Sequence, residues 1–218
     1  MKPAEAEKIK KFLRSRLNLR AVKDKDTVLE RITQSVQICE DYFKGRFVCV
    51  CVIGSSLSKS RPPNDIDILC LVSNLNEEND RNSLSRYITS QNKGDTLFVY
   101  DNEPPKNPKN PMVEITLAPA PNLSDAKKVV AEIRANKSLN SKKKTFFKEV
   151  VFGRFVGQML FFYGNRNYFS ELVEVVVMAL ETLLGIKSAQ LDIKSSISPN
   201  FIEVNLTGPV NKAKDLIV

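Results

Sequence analysis

The stretch IGSSLSKSRPPNDIDILCLV, residues 53–72, decides how this chain folds. An apolar run ends on Gly54-Ser55, a polar loop follows, and two aspartates one residue apart head a second apolar run. Alternate residues of a strand project from the same face. Asp65 and Asp67 therefore point together, while Ile66 and Ile68 point the other way, into a core. Two carboxylates about 7 Å apart on one face repel unless a cation lies between them. Hard Mg²⁺ suits that place, because it prefers oxygen ligands and commonly takes one or two carboxylates together with substrate phosphate oxygens. Upstream, Gly54 permits a sharp turn at the end of the first strand. Ser55 and Ser56 then offer hydroxyls and backbone N–H groups of the kind that bind phosphate. Lys59 and Arg61 add positive charge to the same loop.

Working outward, RFVCVCVI (46–53) is a continuous β-branched, apolar run that suits a strand buried on both faces. TLFVY (96–100) and MVEITLA (112–118) read as a third and a fourth strand. Glu114 is the only charge in the last of these. If that strand neighbours 65–72, its carboxylate lands beside the aspartates. Asp95, Asp101 and Glu103 lie in loop-like sequence and are the weaker alternatives. Apolar spacing predicts helices over 4–18 and 26–44, a loop leading into a helix over 76–89, and a helix over 124–136. The connection DNEPPKNPKNP (101–111) is too rich in proline and asparagine for regular structure. From about residue 141, FFKEVVFGRFVGQMLFFYG and NYFSELVEVVVMALETLLG read as two apolar helices, with a break at Gly164-Asn165 and a stop at Gly185. QLDIKSS and FIEVNLT read as a terminal hairpin, followed by a short helix over 208–217.

The composition narrows the chemistry. The chain of 218 residues carries 33 basic and 25 acidic side chains, a net charge of +8 that favours anionic partners such as nucleotides or nucleic acid. It contains no histidine, which removes Ser-His and Cys-His nucleophiles and histidine-ligated zinc. Its four cysteines, Cys39, Cys49, Cys51 and Cys70, make a C-x-C rather than a C-x-x-C pattern, and read as reduced core residues of an intracellular, cytoplasmic protein. No apolar run approaches the length of a membrane span. The lysine-rich KSLNSKKKTFFK (137–148) and the basic helix over 4–18 read first as solvated surface and second as nucleic-acid contacts. The aromatic group Phe161, Phe162, Tyr163 and Tyr168 reads as helix packing.

Gly-Ser, nine residues, then Asp-Ile-Asp at the head of an apolar strand, with a later glutamate in another, resembles the nucleotidyltransferase superfamily that includes DNA polymerase β. The resemblance covers roughly residues 46–118 and rests on Gly54, Ser55, Asp65, Asp67 and Glu114. It implies an α/β (α+β) fold with a mixed β-sheet core and flanking helices. Here that core would occupy 1–140, with a mainly helical region over 141–218. It further implies two Mg²⁺ ions, or Mn²⁺ in their place, held by the three carboxylates, with Gly54 and Ser55 holding the phosphates; Ser56, Lys59 and Arg61 complete the expected nucleotide-binding set as polar and cationic residues of the same loop. The implied activity is transfer of a nucleoside monophosphate from an NTP such as ATP to a hydroxyl of RNA, a small molecule or a protein. Many members carry a second glycine in the loop, where this chain reads SLSKSRPP. The alternative expectation is therefore a non-catalytic module of the same fold that binds nucleotide, RNA or a protein partner.

Overall fold

A computed structural model of the chain describes residues 1–59, 62–94, 96–100, 107–136, 145, 158–187, 194–197 and 200–214. The fold is mixed α/β, and the chain forms two compact units. One comprises Met1–Ala120 with Phe162–Gly164, the other Pro121–Phe161 with Asn165–Val218.

The first unit opens with two helices, α1 (Pro3–Arg16) and α2 (Lys25–Phe43). Proline in the first turn of α1 costs nothing, because its missing N–H would have no helical partner there. Asp24 caps α2 by accepting the Thr27 N–H at 3.0 Å. Val28, Ile32, Val36, Cys39 and Phe43 recur at helical spacing and are buried. Lys10 of α1 bridges to Glu30 of α2 at 3.0 Å, and Arg14 pairs with Asp26. Four strands follow: β1 (Phe47–Ile53), β2 (Ile66–Val72), β3 (Leu97–Val99) and β4 (Val113–Pro119). Helix α3 (Glu77–Ser90) lies between β2 and β3 in sequence. The strands are ordered β3-β4-β2-β1. β1 runs antiparallel to β2, whereas β2, β4 and β3 run parallel. Helix α2 packs on β1 and β4, and α3 on β3 and β4. The Cys70 thiol of β2 meets Cys39 of α2, so Ile66, Ile68 and Cys70 face the helices, and Asp67 belongs to the opposite face.

In the second unit, α4 (Leu123–Asn136) packs on α5 (Arg166–Leu184). Lys127 bridges to Glu171 at 2.6 Å, and Arg134 to Glu181 at 3.3 Å. Asn165 caps α5 by accepting the Tyr168 N–H, and Gly185 closes it in the left-handed conformation at φ +65°. Strand β5 (Gln158–Gly164) pairs antiparallel with β7 (Ile202–Asn205), which pairs antiparallel with β6 (Lys194–Ile197). A short helix, α6 (Thr207–Lys214), follows.

The terminal hairpin and α6 match expectation, but QMLFFYG is a strand and not the end of an apolar helix. A short, aromatic-rich apolar run is compatible with either state by pattern. Here Met159 opposite Val204 and Phe161 opposite Ile202 settle it, since cross-strand pairs decide strand formation more than local propensity does. The rest of the run lies outside the described residues, as do Asp95, Asp101, Glu103 and all of KSLNSKKKTFFK but Thr145.

Candidate functional site

Two neighbouring parallel strands bring the acidic residues together. Asp67 and Glu114 are direct partners in the β2–β4 ladder, and the Ile66 N–H donates to the Met112 carbonyl at 2.9 Å where the pairing begins. Asp65 lies in the bend one residue before β2, on the same side as Asp67. One carboxylate oxygen from each of Asp65, Asp67 and Glu114 lies within 4.8 Å of the other two. The burial pattern supports a purpose beyond solvation. In the seven residues of β2, Asp67 alone is not fully buried. Glu114 is only 7% exposed, because β4 is flanked by β2 and β3 and is not the edge strand. The Thr116 hydroxyl, two residues along the same face, donates to Glu114 Oε1 at 3.5 Å.

Carboxylates brought this close repel one another when ionised. A divalent cation held between them would offset that repulsion. The donor set is all oxygen, from hard carboxylates on two adjacent strands, which fits Mg²⁺ or Mn²⁺ and does not fit a thiophilic metal.

The turn after β1 lies directly against Asp67. Ile53, its last strand residue, is the β1 partner of Asp67. Gly54 has φ +75°, and a β-carbon there would overlap Asp67 Oδ2. No other residue type lets the backbone come this close at this φ. Residues Gly54–Leu57 form a 3₁₀ turn, closed by the Ser58 N–H donating to the Ser55 carbonyl at 3.0 Å. Ser55, next to Gly54 in that turn, is half-buried. Ser56 is fully buried, and its hydroxyl donates to the Ile53 carbonyl at 3.2 Å, which holds the turn in shape. Lys59 is exposed, and Arg61 lies outside the described residues.

One residue of this arrangement was not legible as functional. Asn18, between α1 and α2, is buried, and grips the turn from behind. Its backbone N–H donates to the Ser56 carbonyl at 2.8 Å, and its Nδ2 to the Ser58 carbonyl at 2.9 Å. In the sequence it is only the polar residue at which a helix is expected to end. Thr116 carried a weak signal, being two places from Glu114 in a strand.

The aromatic group serves packing. Phe161 and Phe162 are buried, Phe161 stacks on Phe169 with centroids 5.1 Å apart, and the Tyr168 hydroxyl donates to the Pro121 carbonyl at 2.7 Å. The Tyr163 hydroxyl donates to Glu40 Oε1 at 2.8 Å, and burial raises its pKa. No protein-family model matches the sequence, and no curated protein matches it.

Proposed function

We propose that the chain is a divalent-metal-dependent nucleotidyltransferase that moves a nucleoside monophosphate from an NTP to a hydroxyl acceptor. The observation that carries this reading is the convergence of Asp65, Asp67 and Glu114 within 4.8 Å, against a glycine-serine turn that approaches Asp67 as only glycine can. Acidic groups alone are common on protein surfaces. A buried Glu114 facing Asp67 beside a tight turn is not what solvation requires.

Asp65, Asp67 and Glu114 would hold Mg²⁺, which when bound neutralises phosphate charge and lowers the pKa of a hydroxyl. The Ser55 turn orients the triphosphate through its N–H groups and hydroxyl. The rigid β2–β4 ladder fixes the carboxylates in advance, so their placement costs no reorganisation during reaction. The acceptor oxygen attacks the α-phosphorus, and the bond to the bridging oxygen of pyrophosphate breaks. Pyrophosphate leaves with that electron pair, and a Glu114 carboxylate oxygen takes the hydroxyl proton. Histidine has no part to play, in keeping with its absence.

Thermal unfolding with each NTP, with and without Mg²⁺, tests this. The expected result is stabilisation that requires both and is lost in Asp67→Asn. Stabilisation by nucleotide that ignores both the metal and the substitution would favour a binding module in its place.

A further inference from the structure

We infer that the acceptor carries a planar base that stacks on Tyr100, which makes it the 3′ end of a single-stranded RNA; this rests on the nucleotidyltransferase reading. Tyr100 is the exposed large hydrophobic residue among the described residues, at 46%. It directly follows the edge strand β3, and its N–H donates to the Ile115 carbonyl at 3.1 Å, so it continues the β3–β4 ladder. Phe98 is the ladder partner of Glu114. Tyr100, two residues on, therefore shares the face of Phe98 and Glu114, while Leu97 and Val99 go to the core on the other side. One strand spacing across and two residues along put Tyr100 roughly 8 Å from Glu114 between Cα atoms. A base stacked on its ring can thus present a ribose hydroxyl near the carboxylates.

The order of parts across the sheet assigns the ring to the acceptor. It runs from the Gly54–Ser55 turn after β1, through Asp67 on β2 and Glu114 on β4, to Phe98 and Tyr100 on β3. In an in-line displacement the attacking oxygen and the leaving oxygen lie on opposite sides of phosphorus. If the turn grips the leaving pyrophosphate, the attacking hydroxyl arrives from the flank of Glu114 and Tyr100. An aminoglycoside has only saturated rings and a serine side chain none, so neither brings a planar base to lie on Tyr100. A polynucleotide has one at its end, and a net charge of +8 favours its backbone.

The test uses the full chain with Mg²⁺, labelled NTPs and three probes: a mixed-sequence RNA oligonucleotide, an aminoglycoside mixture and casein. Label is expected in the RNA, with bond formation between its terminal oxygen and the α-phosphorus and release of pyrophosphate. Tyr100→Ala should raise KM for the RNA about 5- to 100-fold, as loss of one stacked base predicts, and leave KM for the NTP unchanged. Tyr100→Phe should restore it. An RNA lacking its terminal base should lose as much with the wild-type protein and nothing further with Tyr100→Ala. Label in casein or aminoglycoside, an unchanged KM for RNA, or a raised KM for NTP overturns the inference and leaves the nucleotidyltransferase reading standing. No transfer to any probe, together with no metal-dependent stabilisation by NTP, overturns both.

Discussion

A methyl group added at Gly54 would fall on the Asp67 carboxylate, on a backbone whose φ of +75° already disfavours any β-carbon. The left-handed conformation alone costs a non-glycine residue roughly 1–2 kcal/mol. The overlap must then move either the turn or the carboxylate. Gly45 is an unstrained control, since its φ is not positive and an added β-carbon meets nothing within 4 Å there. Gly54→Ala is expected to lower unfolding free energy in urea by about 2 kcal/mol or more and to abolish Mg²⁺-dependent stabilisation by NTP, whereas Gly45→Ala leaves that stabilisation intact. Equal behaviour of the two variants would mean that the turn and Asp67 are not coupled. Gly54, Asp65 and Asp67 were legible because their signal is local: a strand, a turn residue and a same-face pair within fifteen positions. Asn18 was not, because its role depends on a contact across 40 residues, with Ser58.

The elements are pinned by contacts of their own, and the Arg46–Asp80 ion pair makes one of them depend on pH. Asp80, in the first turn of α3, accepts from both terminal nitrogens of Arg46 at 2.9 Å and from the Asn76 N–H at 2.9 Å, and is 8% exposed. The Arg46 hydrogen bonds hold its carboxyl below the usual range against the opposing effect of burial. A folded-state pKa below the unfolded value near 3.9 adds stability that is present above that pH and lost as pH falls through the folded value. Asp80→Asn should therefore be less stable than wild type by about 2 kcal/mol at pH 7, with the gap closing below about pH 4. Urea unfolding across a pH series measures it, and a gap constant with pH would show that ionisation is not the cause. The same scale shows where pattern reading stops. β1, β2, β3 and β4 were readable because each is a short, mostly apolar run between turn signals. β5 was not, because nothing within MLFFYG distinguishes a strand from a buried helix, and the partners that decide, Val204 and Ile202, lie about 40 residues away.

At the scale of the whole molecule, the four cysteines record how the first unit opens. Cys39 on α2, Cys49 and Cys51 on β1 and Cys70 on β2 are all free and fully buried, and all belong to the unit that carries the carboxylates. Burial pushes the Cys51 and Cys70 thiols well up, so the reactive thiolate is scarce even where a reagent gains entry. They sit on both faces of β1 and β2, since Cys70 meets Cys39 under α2 while Cys49 and Cys51 alternate with Val50 and Val52. Fraying of one surface helix therefore cannot expose the whole set; separation of β1 from β2 can. Labelling by a small thiol reagent under native conditions should be slower than for unfolded chain by roughly 10³- to 10⁷-fold, the range set by an unfolding free energy of 5–10 kcal/mol. All four should label with one rate, which rises with urea in parallel with the loss of metal-dependent NTP stabilisation. Reductant should leave the unfolding midpoint unchanged. Mass spectrometry of labelled peptides separates the alternatives: Cys39 and Cys70 reacting ahead of Cys49 and Cys51 would mean that α2 lifts away from an intact sheet, and that the sheet can keep the carboxylates together without the helix behind it.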